Sequence, residues 1–393
     1  MTATKNIGIS WPASSFSGWG VYGLNLTLQL LNKGRNPVWI SPPQQLNLDY
    51  KTKQRLKTVK QRQSDLSDLL GKIGVLEFDF PVLHSLRNDF KPALEDQAAH
   101  GTKNIGVMFF ENTKFTTKGF ERANQYDLII TGSTWNRDTL TSKGLTHVIN
   151  IFQGIDDSLF FPIEKKELYP GRFTIFSGGK LEYRKAQDVV ISAFKKFQSI
   201  HKDALLICAW ANQWPPIMKT IGNSKLIKGI PELGEDGQMK LSLWLENNDL
   251  PKDSFIDLGT PPNREIPTYL SSSDTAIFPN RCEPGTNLVA MEAMAMGLPV
   301  ILSSNTGHLN LINGFNCYPL LKQTPVEPYT PYAGVDGWAE PDLQEVIDHL
   351  ESIYADRNEA AKRGQRAAKS LSKLTWENQI EKLLQCIDNL CNN

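Results

Sequence analysis

Short apolar runs alternate with segments of helical period along most of this chain. Runs of Ile, Val, Leu and Phe with few polar interruptions are typical of strands buried on both faces of a parallel sheet, and apolar residues three or four positions apart are typical of the helices that cover it. This alternation predicts an α/β fold. In the first half it predicts strands at Asn6–Ser10, Pro37–Ile40, Gly74–Phe78, Asn104–Phe109, Asp127–Thr131 and His147–Ile151.

The same rhythm starts again after a charged segment with Pro and Gly at residues 164–171. A chain of 393 residues is long enough for two domains of about 150 to 200 residues each. We therefore predict two Rossmann-like α/β/α domains that face each other across a cleft, residues 1–163 and 164–393. C-terminal helices follow, and the last, at about 374–391, is a candidate to pack back on the first domain. Strands of the second domain are predicted at Phe173–Ser177, Leu205–Ala209, Ser254–Leu258, Thr275–Pro279 and Pro299–Leu302.

Composition and charge exclude several classes of function. Forty-two basic residues balance 42 acidic ones, so no global charge favours a nucleic acid partner. The N-terminus lacks the pattern of a signal peptide, no apolar run is long enough to span a bilayer, and the five cysteines have no metal-ligand spacing. These features predict a cytoplasmic protein with reduced thiols and no metal site.

One block of like charge stands out, Lys51–Arg62, which contains six basic residues and no acid. We interpret it as the solvated face of an amphipathic helix; the alternative is an anionic acceptor or a peripheral contact with the inner face of a membrane. The apolar residues that keep a helical period beside it are Leu56, Val59, Leu66, Leu69 and Ile73.

The segment FSGWGVYGL, Phe16–Leu24, contains a G-x-G-x-x-G pattern at Gly18, Gly20 and Gly23. A dinucleotide-binding turn has its first glycine directly after a strand and an acid about 20 residues later. Here seven residues separate the strand from Gly18 and the first acid is Asp49, so a nicotinamide cofactor is not expected. Before a helix predicted over Val21–Leu31, the glycines predict either a loop that approaches a phosphate or sugar oxygen or a turn shaped for tight packing.

In the second half, the stretch RCEPGTNLVAMEAMAMGLPVI, Arg281–Ile301, carries the chemistry of a binding site. Glu283 lies in the loop after a strand and Glu292 lies about one turn into the helix that follows, so two carboxylates are available to accept hydroxyl groups. Asn287 is a suitable cap for this helix. The backbone N–H groups expected to be free for an anion at its start belong to Gly285, Thr286, Asn287 and Leu288.

A second loop, within FSGGKLEYRKAQDVVISAF, follows another predicted strand. Gly178 and Gly179 are followed there by Lys180, Arg184 and Lys185. Two or three cations at the carboxyl end of a strand, where open α/β sheets bind ligands, can hold and neutralise a diphosphate. Hydroxyl acceptors and phosphate donors together describe a site for a sugar nucleotide.

Both loops resemble those of retaining glycosyltransferases of the GT-B fold, of the family 4 type, and the resemblance extends over nearly the whole chain. GGKLEYRKAQDVV is similar to the phosphate-binding loop of that family. The resemblance implies that Lys180 and Lys185 are catalytic cations and that Gly179 and Arg184 contact the donor. QGIDDSLFFP, Gln153–Pro162, resembles the linker between the two domains.

The stretch EPGTNLVAMEAMAMGLPVI resembles the two-glutamate motif of the same family. The resemblance implies that Glu292 holds the nucleotide ribose and that Glu283, as a catalytic residue, binds a hydroxyl of the transferred sugar. SGWGVYG takes the place of the family's N-terminal glycine loop, which implies donor contacts at Gly18 and Gly20.

The chain departs from the family pattern at two points. Eight residues rather than the usual seven separate Glu283 from Glu292, so a one-residue bulge is expected within Pro284–Asn287. The family's histidine at the end of an N-domain strand is replaced by VMFFENT, where Glu111 or Asn112 is the candidate substitute. The six histidines of the chain are each expected to be surface or satisfied residues rather than catalysts. The acceptor is expected to bind the first domain near Trp19, Glu111, Asn112 and Trp135.

No D-x-D motif occurs in the sequence, so the charge of a leaving diphosphate is expected to be balanced by protein cations rather than by a metal ion. The resemblance implies a nucleotide-diphosphate sugar as donor substrate, no cofactor, transfer to a hydroxyl acceptor on a glycan, lipid or protein, and retained configuration. The alternatives are a catalytically inactive sugar-nucleotide-binding domain and a sugar-nucleotide epimerase of the same fold.

Overall fold

The computed structural model describes residues 5–92 and 99–392. The chain forms two compact units, Met1–Asp156 with Leu374–Asn393, and Asp157–Lys373. The division between 156 and 157 comes before the boundary at 163 and 164 that the sequence predicts. Each unit is an α/β domain with a parallel sheet, which confirms the predicted fold class.

The first unit has a parallel sheet covered by helices. Its strands are β1 (Asn6–Ile9), β2 (Asn36–Trp39), β3 (Leu76–Glu77), β4 (Val82–Arg87), β5 (Lys91–Pro92), β6 (Ala99–His100), β7 (Asn104–Met108), β8 (Leu128–Thr131) and β9 (Val148–Asn150). Its helices before residue 157 are α1 (Gly18–Asn32), α2 (Tyr50–Arg55), α3 (Lys57–Ile73), α4 (Thr117–Ala123) and α5 (Thr134–Ser142). The main sheet has the strand order β2-β1-β4-β7-β8-β9, and β5 is added antiparallel to β4.

One strand predicted for this sheet is wrong. Of Gly74–Phe78, only Leu76–Glu77 is a strand, and it pairs with β6 outside the main sheet. The place between β1 and β7 is taken by β4, whose sequence VLHSLR carries His84 and Ser85 in its middle. His84 is nevertheless buried, and Asn104 Oδ1 lies 2.9 Å from its Nε2 atom as a hydrogen-bond partner for that nitrogen.

The second unit has a parallel sheet of six strands with the order β12-β11-β10-β13-β14-β15. The strands are β10 (Phe173–Lys180), β11 (Ala204–Ala211), β12 (Phe255–Asp257), β13 (Thr275–Phe278), β14 (Val300–Ser303), β15 (Tyr318–Leu320), and the hairpin β16 (Gln323–Pro325) and β17 (Ala339–Pro341). The helices are α6 (Gln187–Ile200), α7 (Pro215–Met218), α8 (Leu241–Asn247), α9 (Ile266–Leu270), α10 (Leu288–Ala295), α11 (Leu343–Ala355) and α12 (Arg357–Leu371). In chain order the sheet reads 3-2-1-4-5-6, the order of a doubly wound Rossmann fold.

The last helix, α13 (Trp376–Asn392), belongs to the first unit. It packs on α1, and the ring of Trp376 stacks on that of Tyr22 with 5.3 Å between centroids. The Arg35 guanidinium binds Asp388 with two hydrogen bonds of 3.1 and 2.6 Å. The C-terminal segment is therefore held on the first unit by both apolar and charged contacts.

Candidate functional site

The loops after β10 and β13 meet at the point where the strand order of the second sheet reverses. These two strands are adjacent in the sheet although about 100 residues separate them in sequence, and ligands of doubly wound folds bind at this edge. Gly178 allows a close approach here, because an ideal Cβ atom on it would lie 2.9 Å from Cγ1 of Val289 on α10. Both loops singled out from the sequence therefore lie side by side.

Lys185 and Glu283 form a direct ion pair between Nζ and Oε2 across these two loops. Glu283 is 6% exposed and the Lys185 side chain is 11% exposed. Gly179 adopts φ of 131°, a backbone conformation that residues with a side chain rarely adopt, and lies beside the lysine stem: an ideal Cβ atom on it would be in ordinary contact with Cε of Lys185 at 3.9 Å. The structure thus brings together two residues that the sequence predicted for one site.

The Glu283 carboxylate is ionised at neutral pH. Burial alone would raise its pKa, but the charges of Lys185 and Arg184 outweigh burial and lower the pKa to about 2. Asn280 Nδ2 also donates to its Oε2 atom at 2.8 Å. Glu283 can therefore accept hydrogen bonds from hydroxyl groups, but it holds no proton to donate.

Arg184 lies in a short 3-10 helix at Tyr183–Lys185 and is 3% exposed. Its guanidinium donates to Glu182 Oε1 at 2.5 Å and to the Cys282 carbonyl at 2.8 Å, and lies 3.6 Å from Glu283 Oε2. It ties the two loops together within the protein and adds positive charge beside Glu283.

Lys180 ends strand β10 and is half-buried. Its Nζ atom lies over the indole ring of Trp214, 4.2 Å from the centroid, which is a cation–π contact. Trp214 itself is 47% exposed. The cation of Lys180 and the aromatic face of Trp214 thus lie together at the ends of β10 and β11.

Helix α10 begins at Leu288, as the sequence predicts. Asn287 occupies the N-cap position with a left-handed φ of 63°, and it lies within Pro284–Asn287, the segment where a one-residue bulge is expected. The expected capping bond is absent, however, because the Asn287 side chain forms no hydrogen bond to the first turn. Thr286 instead donates its hydroxyl to Met291 Sδ at 2.9 Å, and Gly285 packs on Gly307.

Glu292 lies on α10 and is 4% exposed. Its Oε1 atom accepts a hydrogen bond of 2.6 Å from Asn263 Nδ2, which lies in the segment after β12. Asn263 was not singled out from the sequence, because nothing in a lone Asn-Arg-Glu segment marks it as the partner of a carboxylate 29 residues later.

His308 is a residue of this site that sequence analysis missed. It follows β14 and is fully buried, with its Nε2 atom 3.1 Å from Nδ2 of Asn287. Burial lowers its pKa to about 4, although the nearby charge of Glu283 favours the protonated ring. The only sequence signal was its position after a strand at the carboxyl edge of the sheet.

The glycines of FSGWGVYGL lie inside α1, which begins at Gly18 and not at Val21. Ideal Cβ atoms on Gly20 and Gly23 would lie 2.2 Å from Ser14 Cβ and 2.9 Å from Trp11 Nε1, so tight packing accounts for both residues. Ser17 caps this helix by accepting from the Gly20 N–H at 3.1 Å. Gly18 remains exposed at the helix start.

The four residues predicted for the acceptor all lie in the first unit. Trp19 belongs to an aromatic cluster, with centroid distances of 4.9 Å to Phe109 and 5.4 Å to Trp11. Trp135 packs against a hydrophobic core cluster, 5.6 Å from Phe110.

Glu111 and Asn112 form a loop fixed by Asn88. Asn88 donates to Glu111 Oε2 at 3.1 Å and accepts the backbone N–H groups of both loop residues. Both side chains are half-buried.

The basic block Lys51–Arg62 lies on α2 and α3, and all six of its Lys and Arg side chains are exposed. Leu56 and Val59 are buried as predicted, but Leu69 is 43% and Ile73 58% exposed, so the apolar face is shorter than the sequence indicates. Among the described residues, no helix is both long and apolar enough to cross a membrane.

Comparison with known proteins gives a family match for part of the chain. Residues 161–324 match the family model described as glycosyl transferases group 1. No curated protein matches the sequence. Within residues 5–92 and 99–392, no group of three or more His, Cys, Asp or Glu residues is arranged to hold a metal ion.

Solved structures share the fold over almost the full length. Sucrose-phosphate synthase from Thermosynechococcus elongatus has a TM-score of 0.64 at 14% identity, with 99% of each chain covered. HepE from Anabaena, solved with UDP and glucose, has a TM-score of 0.64 at 11% identity, covering 98% of this chain and 100% of the other. A glycosyltransferase from Rickettsia africae has a TM-score of 0.63 at 13% identity, with 99% of each chain covered. The chain therefore has the GT-B fold with two Rossmann-like domains, and residues 161–324 match the group 1 glycosyl transferases.

Proposed function

We propose that this protein is a metal-independent, retaining glycosyltransferase that moves a sugar from a nucleotide-diphosphate sugar to a hydroxyl acceptor. The observation that carries the proposal is the contact between Lys185 and Glu283 where the strand order of the second sheet reverses. A cation for phosphate and a carboxylate for sugar hydroxyls are adjacent there, inside the segment that matches the group 1 glycosyl transferases. 

The donor diphosphate would be bound by Lys180, Lys185 and the first-turn N–H groups of α10. Anions bind well at such a helix start, because its N–H groups have no partner within the helix and the helix dipole adds positive potential. The nucleotide ribose would bind the Glu292 carboxylate, which Asn263 orients through its 2.6 Å hydrogen bond.

In the transfer step the bond between the anomeric carbon and the phosphate breaks, and negative charge grows on the leaving diphosphate. The two lysines and the helix amides then bind this charge more strongly than they bind the ground state, which lowers the barrier. The acceptor hydroxyl attacks from the side of the leaving group and passes its proton to the diphosphate. Glu283 stays ionised and fixes the sugar by accepting hydrogen bonds from its hydroxyl groups, since its pKa is lowered to about 2 by Lys185 and Arg184 against the effect of burial.

Uridine diphosphate sugars are the first donors to test, because a HepE structure of which 99% of the chain is covered was solved with UDP-glucose. A thermal-shift panel of UDP-, GDP-, ADP- and CMP-sugars identifies the donor, since a ligand at a hundredfold its Kd raises the free energy of unfolding by about 2.7 kcal/mol. Sugar release and transfer are then measured with that donor. NMR of the anomeric proton of the product tests retention.

The decisive variants are Lys185→Ala and a matched control, Lys252→Ala. Lys252 is also a lysine of the second unit, but its side chain is 83% exposed and pairs only with Glu246 at 3.4 Å in the described structure. Losing one transition-state cation costs about 2 to 4 kcal/mol, so Lys185→Ala should lower kcat roughly 30- to 1000-fold while the control is unchanged. Donor binding without sugar release under any acceptor would instead support an inactive binding domain, and a product that is still a nucleotide sugar would support an epimerase.

The acceptor contacts of Trp19, Glu111, Asn112 and Trp135 remain part of this proposal. Peripheral contact of the exposed basic block with an anionic membrane is a further part, and sedimentation of the protein with vesicles containing phosphatidylglycerol tests it. Electrostatic attachment would weaken as ionic strength rises.

A further inference from the structure

The first turn of α10 lacks the side-chain cap that its sequence provides for. An Asn at the N-cap usually accepts a hydrogen bond from the N–H group of the second or third helical residue, here Val289 or Ala290. Asn287 forms no such bond. Its amide group instead lies 3.1 Å from Nε2 of His308, a contact buried inside the second unit.

His308 is held in place by a strap, which we define as residues Asn305–His308. Thr306 Oγ1 accepts from the Glu283 N–H at 2.8 Å, and the Gly307 N–H donates to the Glu283 carbonyl at 2.9 Å. An ideal Cβ atom on Gly307 would lie 1.7 Å from the Gly285 carbonyl, so the strap lies directly on the glutamate loop. Thr306 adopts φ of 41°, which is strained for a β-branched residue and indicates that the surroundings dictate this geometry.

We propose that His308 is a positioning residue that turns the Asn287 side chain away from α10 and so keeps the first-turn N–H groups available for the donor diphosphate. The inference rests on the proposed function and adds a residue to its donor site. A capping amide oxygen and a phosphate oxygen compete for the same backbone N–H donors. When the Asn287 side chain is hydrogen-bonded to His308 instead, these N–H groups stay available to phosphate.

The chemistry of the contact fits this role. Asn287 presents its NH₂ group, so the Nε2 atom of His308 must accept, and the ring must be neutral. The charged groups that face the ring are Glu283, Lys185 and Arg184. Burial is the largest influence on the pKa of the ring and keeps it neutral around pH 7.

The test compares three single variants of the full chain. His308→Phe keeps a buried ring but removes the acceptor, so Asn287 is released to cap α10; His308→Gln supplies an amide oxygen that can replace Nε2. His349→Phe is the matched control, since His349 lies in the same unit and its Nε2 contacts only the Pro319 carbonyl, at 3.1 Å, among the hydrogen bonds described. Affinity for UDP and for inorganic pyrophosphate is measured by isothermal titration.

We expect His308→Phe to weaken UDP and pyrophosphate binding about tenfold, the value of one neutral hydrogen bond of about 1.4 kcal/mol. His308→Gln and His349→Phe should stay within about threefold of the wild type, which is less than one such bond. Exchange of the Val289 and Ala290 amide hydrogens, measured without ligand, should slow in His308→Phe because the released cap protects them.

A double variant separates positioning from a general structural role. Asn287→Gly keeps the left-handed backbone and removes the competing amide, so it should restore binding in the His308→Phe background. A double variant as weak as His308→Phe would overturn the proposal, as would unchanged affinity and unchanged amide exchange in His308→Phe. If the wild type binds neither UDP nor pyrophosphate nor any donor sugar, the proposed function is wrong. In that case the amide-exchange result still decides whether His308 keeps the Asn287 side chain from capping α10.

Discussion

The ion pair between Lys185 and Glu283 predicts a specific pattern of stability in a double-mutant cycle. Lys185→Met removes the cation and keeps most of the stem, and Glu283→Gln removes the charge and keeps the shape of the side chain. Because Glu283 is 6% exposed, Lys185→Met leaves a buried carboxylate with Arg184 at 3.6 Å and Asn280 at 2.8 Å as its remaining partners. Breaking a buried pair from one side typically costs about 3 to 5 kcal/mol.

The magnitude follows from the pKa of Glu283 as well. The fall from its ordinary value of 4.5 to about 2 corresponds to about 3 kcal/mol in favour of the charged form, after burial has opposed it. Once Lys185 is removed, burial still opposes the charged carboxylate and Arg184 keeps only part of the favourable interaction, so we expect a loss of about 3 kcal/mol for Lys185→Met, the lower end of the range. Glu283→Gln should cost about 2 kcal/mol, because the long lysine stem can carry its charge towards water.

The assay is urea denaturation of the full chain at pH 7, with tryptophan fluorescence as the signal of unfolding. If the two side chains act as a pair, the double variant should lose about 1 to 3 kcal/mol less free energy of unfolding than the two single variants added together. The reason is that the second substitution removes a charge that the first has left without its partner. Lys252→Ala combined with Glu283→Gln is the control and should be additive. Losses for Lys185→Met and Glu283→Gln that add to within about 0.5 kcal/mol would refute the pairing.

Three further predictions address single features. The pKa of His308 is about 4 in the folded chain and has its ordinary value of 6.5 in the unfolded chain, so the unfolded chain binds more protons between these two pH values. As the pH falls from 7 to 4, the free energy of unfolding of the wild type should therefore decrease by up to about 3 kcal/mol relative to that of His308→Gln. Urea denaturation at each pH measures the difference. Gly20→Ala should destabilise the protein by about 1 to 3 kcal/mol, because the added methyl group would lie 2.2 Å from Ser14 Cβ. Gly34→Ala is the control, since Gly34 has open space around it but φ of 69°, so this variant reports on backbone strain alone. Equal thermal midpoints for Gly20→Ala and the wild type would contradict the tight packing at Gly20. Trp214→Ala removes the ring under Lys180 and should change the donor KM by about two- to fivefold, a cation–π contact being worth about 0.5 to 1 kcal/mol at exposed sites, while Trp214→Phe should keep most of it.

The sheet of the second unit was largely predictable from sequence, because its strands are continuous apolar runs. All four residues of β13 are buried, as are all four of β14, and such runs have no competing periodicity. The first sheet was harder. Strand β4 contains a buried histidine whose partner, Asn104, is 20 residues away, while the apolar stretch that was chosen instead includes Val75, which is 48% exposed. Local pattern cannot reveal polar satisfaction by a distant side chain.

The site shows the same division. Position after a strand identified the loops of Lys185 and Glu283, since the carboxyl edge of a parallel sheet collects such loops. The pairing of the two side chains needed the strand order, which joins residues 98 positions apart. Asn287 was identified as a cap from residue type alone, and its diversion to His308 could not be predicted, because it depends on the strap that lies against the glutamate loop.

Under the proposed function, these contacts hold a cation in the place where a diphosphate would bind. Burying a lysine without a counter-charge is costly, because its charged form loses its hydration. Glu283 supplies the counter-charge, and Asn280 and Arg184 fix that carboxylate in place. In the proposed donor complex the diphosphate would bring negative charge of its own, so Lys185 would exchange part of its carboxylate contact for phosphate oxygens and Glu283 would become available to sugar hydroxyls. Removing the Glu283 carboxylate should therefore first disturb the position of the Lys185 ammonium group, although the lysine itself is still present.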